Sequence, residues 1–179
     1  MTSDLSRPEW FINRELSLLE FNRRVLDLAK DQKVPLLERL KYLCIVSSNL
    51  DEFFEVRVAG LKEQVTHGAE QRCADGLTPS ELLSRIAVLT HQLVHEQYHV
   101  LNHALIPKLA DERIRFLKRV DWMPSHIRWM RRFFSRELLP LLSPVGLDPA
   151  HPFPKLLNKS LNFLVTLEGT DAFGRPNGT

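Results

Sequence analysis

Thr78-Pro79-Ser80-Glu81 constrains this chain more than any other four residues. A threonine at the N-cap, a proline at the first helical position and a glutamate at the third meet three separate needs of a helix start. Leu82, Ile86, Leu89, Leu93 and Val94 then recur at helical spacing, and Pro107 limits the far end. A helix from Pro79 to Ile106 would be about 40 Å long, at ~1.5 Å per residue. An apolar stripe of that length has to be buried against other helices, so the expected fold class is mainly α, an antiparallel helical bundle.

The residues before it supply the partners. Ser17-Leu18-Leu19-Glu20 fits a capping box, followed by Leu18, Phe21, Val25 and Leu28 at helical spacing. Asp31-Gln32-Lys33 breaks that helix, and Pro35 suits the first turn of a second one with Leu36, Leu40, Leu43 and Cys44 on its apolar face. A third helix is expected to open at Ser47-Ser48-Asn49-Leu50-Asp51-Glu52, with Ser48 or Asn49 as N-cap. Asp51 and Glu52 would then lie in the first turn, where the dipole favours negative charge, or pair with Arg57. Phe53, Val56, Gly60 and Leu61 carry this helix toward Val65, and Gly68 to Gly76 reads as a loop.

The pattern changes after Ala110. Ile114 to Leu117 is strand-like, Ser125 to Leu139 reads as an amphipathic helix, and Pro140, Pro144, Pro149, Pro152 and Pro154 punctuate an irregular stretch. Leu161 to Leu167 is again strand-like, but one strand is not stable alone and the remaining sequence holds no partners for it. The expected organisation is a helical N-terminal domain over 1–112, then the beginning of an α+β domain over 113–179, cut short.

Composition adds limits. Hydrophobic residues at 44% and charged residues at 26% fit a soluble globular protein and exclude a disordered one. The net charge of +2 says little about partners, and no nucleic-acid partner is expected. Charge is uneven, however: Arg113, Arg115, Lys118, Arg119, Arg128, Arg131, Arg132 and Arg136 make a basic stretch, either a solvated helix face or an anion-facing surface. Cys44 and Cys73 form no CxxC pair, and Cys44 is expected to pack as a small hydrophobe. The first ten residues lack the apolar core of a signal peptide, and no apolar run is long enough to span a membrane. A cytoplasmic location is the expectation.

Local propensity gives little reason for five polar residues between Ser47 and Glu52 in an apolar helical stretch. Among them, Asn49 offers both a donor and an acceptor, which suits an adenine edge or a phosphate oxygen; helix capping is the plain alternative. Asp51 and Glu52 point about 100° apart on a helix and cannot share one proton. His91, His95, His99 and His103 recur every fourth residue, but the stripe drifts by about 40° per step, so all four cannot meet one metal ion. They read as surface histidines. Gly169 to Gly174 has the glycine spacing of a P-loop, yet Arg175-Pro176 stand where that motif needs lysine and then serine or threonine. His151, between prolines, reads as part of a rigid loop, with a position facing substrate as the alternative.

Three segments carry a family resemblance: Arg14 to Leu26 (RELSLLEFNRRVL), Pro35 to Lys62 (PLLERLKYLCIVSSNLDEFFEVRVAGLK) and Leu142 to Asn162 (LSPVGLDPAHPFPKLLNKSLN). In order and extent they resemble the polyphosphate kinases. That resemblance implies a helical N-terminal domain, an α+β head domain, and two later domains that hold the catalytic centre. It implies reversible transfer of the terminal phosphate of ATP to inorganic polyphosphate through a phosphohistidine, with Mg2+ bound by domains absent from this chain. No catalytic residue is therefore expected here, and the 179 residues alone should be inactive. One position carries over: the family's N-terminal asparagine at the ATP site maps onto Asn49. ATP, ADP and polyphosphate are the implied partners, with a homo-oligomer in the complete enzyme and a position peripheral to the membrane left open. The alternative is a non-catalytic helical interaction module that binds a partner or polyphosphate through Arg128 to Arg136.

Overall fold

A helix must satisfy its first free N–H groups, and Asn13 does so for α1 (Arg14–Lys30). Its Oδ1 accepts from the backbone N–H of Glu15 at 3.0 Å and of Leu16 at 3.1 Å. Its Nδ2 donates to Asp75 Oδ2 at 3.0 Å, which fixes the cap from across the chain. The expected Ser17 capping box is therefore not the start; Ser17 lies inside the first turn. The buried stripe of α1 is Leu19, Asn22, Leu26 and Ala29, rotated by one residue from the expected Leu18, Phe21, Val25 and Leu28. Leu18, Phe21 and Leu28 face outward.

The computed structural model describes residues 7–68, 71–147, 152–157, 160–166 and 168–169. His151, most of the Gly169–Gly174 segment and the tail after it lie outside the described residues. Within them the chain divides into two compact units, Met1–Asp121 and Trp122–Thr179.

In the first unit, α2 (Leu36–Glu52), a π-helical turn (Phe53–Val58) and α3 (Ala59–Thr66) follow one another without a break. The helix expected to begin at Ser48 or Asn49 does not begin there, because every residue from Glu52 to Ala59 keeps helical geometry. The buried positions explain the wide turn. Leu43, Val46, Leu50 and Phe53 keep helical spacing, and the next two are Val58 and Leu61. The step from Phe53 to Val58 is one residue too long for an α-helix; the π turn absorbs it and keeps Val58, rather than Arg57, in the core.

The capping box expected for α4 (Pro79–Val100) is present. The Glu81 N–H donates to Thr78 Oγ1 at 3.3 Å, and the Thr78 N–H donates to Glu81 Oε2 at 2.8 Å. The Thr78 donors, backbone first, hold the Glu81 carboxyl below the usual range. Pro107 does not end the helical run. A second π turn (Leu101–Leu105) leads into α5 (Ile106–Asp111), and the Ile106 N–H reaches back to Leu101 O. The wider turn makes room for a ring that would clash with a carbonyl four residues earlier. Again the core stripe jumps by five, from Val100 to Leu105. α5 closes with Arg113 at φ 63°, the Arg113 N–H on Ala110 O and the Ile114 N–H on Leu109 O, a Schellman end.

α1 packs on α2 and α4, and α3 packs on α4. The shared core includes Leu19, Leu26, Leu43, Val46, Leu82, Ile86, Leu93 and Leu105. Lys30 on α1 ties to Glu96 on α4 and to Asp27, and these contacts outweigh the cost of burial and raise its pKa. Cys44 is exposed, contrary to expectation, since it lies beside rather than on the Leu43–Val46 stripe. Cys73 is half-buried against the core, and burial, helped by Asp75 and Glu15, pushes its thiol up.

The second unit contains α6 (Pro124–Phe133), a π turn (Phe134–Leu138) and a 3-10 turn (Leu139–Leu141). The strand-like segments 114–117 and 161–166 form no ladder among the described residues; each lacks a neighbouring strand to bond.

Candidate functional site

Asn22 is the root of the site. It is 3% exposed on the inner stripe of α1, where a bare amide would be costly. Its Nδ2 donates to Val46 O on α2 at 3.0 Å. That bond sets the orientation of the amide and leaves Oδ1 to accept from Asn49 Nδ2, also at 3.0 Å. A buried side chain on one helix thus positions a half-buried one on the next.

Asn49 uses one N–H in this way. Its Oδ1 and its second N–H take no protein partner among the described residues. An adjacent acceptor and donor on one planar amide match the amino-and-ring-nitrogen edge of adenine. Ser47, Ser48, Asp51 and Glu52 surround it, all exposed. Because the helix is continuous here, the free N–H groups and positive dipole end expected at Asn49 are absent, and Asp51 and Glu52 have no dipole role. A ligand at this face would meet side chains rather than a helix N-terminus.

The other flagged residues do not join it. His91, His95, His99 and His103 are all exposed along α4 and its π turn. The His99 and His103 rings stack at 4.5 Å, and His91 and His103 each place Nδ1 on a backbone carbonyl, at 2.8 Å and 3.1 Å. Since a carbonyl only accepts, Nδ1 carries the proton in both. No group of three or more histidine, cysteine, aspartate or glutamate side chains could hold a metal ion among the described residues. No described helix is long and apolar enough to cross a membrane.

In the second unit, Arg128, Arg131 and Arg132 fall within about 100° of arc on α6, and Trp129, Met130 and Phe133 occupy a similar arc on the other side. Trp129 stacks on Phe133 at 5.1 Å. All six of these side chains are exposed.

Asn22 and Arg39, both buried, are the functional candidates that reading the sequence for clusters misses. Each had a signal: a polar residue standing at a core position of an apolar stripe.

Residues 11–117 match the family model for the polyphosphate kinase N-terminal domain, and residues 125–178 match that for the polyphosphate kinase middle domain. The chain is 58% identical over 168 residues to a polyphosphate kinase of Pseudomonas aeruginosa, covering 94% of this chain and 24% of that protein. It is 56% identical over 165 residues to a polyphosphate kinase of Neisseria meningitidis serogroup B, covering 92% and 24%. A crystal structure of polyphosphate kinase from Porphyromonas gingivalis superposes with a TM-score of 0.68 at 31% identity, over 82% of this chain and 21% of that one. The chain thus spans about a quarter of the length of the relatives it matches.

Proposed function

Because this chain belongs to the polyphosphate kinase family, we propose that the complete protein moves the terminal phosphate of ATP to and from inorganic polyphosphate, and that these residues build part of its ATP site. In this reading the bond from the γ-phosphorus to ADP breaks as a bond to a histidine nitrogen forms. The phosphoryl group then passes to a terminal oxygen of the polyphosphate chain. The accepting histidine lies in later domains, none of the seven histidines here takes that role, and the chain alone is inactive. Mg2+, held by those later domains, would neutralise phosphate charge, and no residue of this chain is assigned to it. Assembly into a homo-oligomer belongs to the same proposal.

The observation that carries the ATP role is the Asn22–Asn49 pair. Asn22 takes one N–H of Asn49 and so holds the amide before a ligand arrives, leaving an acceptor and a second donor without a protein partner among the described residues. A bidentate amide–adenine contact is worth roughly 1–3 kcal/mol. Asn49→Ala in the complete protein should therefore raise the KM for ATP by about tenfold, with the KM for polyphosphate unchanged. An ATP KM equal to that of the parent would overturn the assignment.

The exposed arginine face of α6 favours a second reading, in which this part binds a partner or polyphosphate and does no work on ATP. Charge reversal at Arg128, Arg131 and Arg132 would then abolish that binding, while Asn49→Ala would change nothing.

A further inference from the structure

Arg39 stands on the core stripe of α2, where its neighbours in phase are Leu43 and Val46. It is only 4% exposed, and its Nε donates to Ala29 O at 2.8 Å. It makes no ion pair with any described residue. Ala29 O, in the last turn of α1, meets one N–H donor of the Arg39 guanidinium and offers the partial negative end of that helix, but no full counter-charge, so much of the lost hydration is not replaced. A leucine in its place would pack without that penalty.

Arg39 also lines an open cavity of about 410 Å³ at the surface of the first unit, within the usual range for small-ligand sites. Lys30, Gln32, His103 and Lys108 share the wall, and none of the lining residues is acidic. Lys30 is already committed to Asp27 and Glu96. Lys108, exposed on α5, has no ion pair among the described residues. Two uncompensated cations therefore face one cavity, one a planar fork of N–H donors and the other a point charge.

We infer that this cavity binds a phosphate-type oxyanion, at a place separate from the Asn49 face. A dianion balances Arg39 and Lys108 together, whereas a single carboxylate leaves one of them unmatched. The guanidinium fork fits two phosphate oxygens at once, the ammonium can take a third, and the Gln32 amide adds a further donor. The one aromatic ring in the lining is that of His103, and it already stacks on His99, which makes it a poor platform for a base. The same chemistry serves free phosphate or one unit of a phosphate chain.

The test uses amide hydrogen exchange on the complete protein, read over segments 29–40 and 100–109. Exchange is compared in orthophosphate, in tripolyphosphate and in chloride at matched ionic strength. With the anion at ten times its Kd, local opening of these segments should slow about tenfold. Lys108→Glu, at an exposed position, should abolish that protection, and Arg39→Met should do the same if it folds. Asn49→Ala should retain it, so failure of the ATP reading and failure of this one are distinguishable. Stronger protection by tripolyphosphate assigns the site to a phosphate chain, and equal protection assigns it to free phosphate. Absence of protection by either anion in the parent, or protection that survives Lys108→Glu, overturns the proposal.

Discussion

Asn13, Asn22, Arg39, Thr90 and Gln97 are the buried polar side chains of the described core, and four of them reach out of their own helix. Asn13 donates to Asp75, Asn22 to Val46 O, Arg39 to Ala29 O and Gln97 to Leu43 O, while Thr90 Oγ1 has no partner among the described residues. Asn22 is the informative one, since its stability role and its positioning role come apart. Asn22→Leu keeps the branched shape with somewhat more bulk and frees Asn49 to bond with water, so unfolding in urea should shift by about 1–2 kcal/mol. The same variant releases the Asn49 amide, and the ATP KM of the complete protein should rise severalfold. An unchanged KM would show that Asn49 needs no support. Asn49 stands out as a candidate in the sequence through its polar cluster and its match to a family position, and the structure adds only its bond to Asn22. Asn22 and Arg39 were hidden because an isolated polar residue in an apolar stripe reads as noise until the phase of the stripe is known, and on α1 that phase is off by one.

At the scale of the element, the two π turns matter most. Each lengthens the core step to five residues, yet they serve different ends. The turn at Phe53–Val58 keeps Val58 on the core side, so deleting exposed Val56 should restore ordinary spacing from Phe53 onward. That deletion should fold with nearly unchanged helicity and a Tm lowered by only a few degrees. Deleting Asn102 restores the same spacing but leaves Pro107 against the carbonyl four residues earlier, and should cost ~3 kcal/mol or more. Circular dichroism melts of the two deletions would check this; equal losses would disprove the distinction. The helices themselves were readable, and the α4 start at Thr78 most clearly, because its cap is local chemistry. The missing break at Ser48 and the passage through Pro107 were not, because both depend on which residues the rest of the bundle buries.

At the scale of the whole molecule, every buried hydrophobic residue among the described ones lies between Leu19 and Leu109, all in the first unit. Residues 1–121 alone should therefore unfold cooperatively in urea. Residues 122–179 alone should show no cooperative transition, because none of their described large apolar side chains is buried. A cooperative transition in the second piece, or none in the first, would contradict this assignment of the core. The mainly helical class was legible from the stripes, whereas the strand-like stretches could not be resolved from sequence, since pairing needs a neighbour. The chain holds two cysteines, and they are unequal: Cys44 is exposed on α2, whereas the thiol of Cys73 is half-buried and held protonated. A maleimide dye therefore goes to Cys44 first, one helical turn from Ser48. The fold thus carries an attachment point for a fluorescent reporter on the exposed surface of α2, on the turn before the polar cluster.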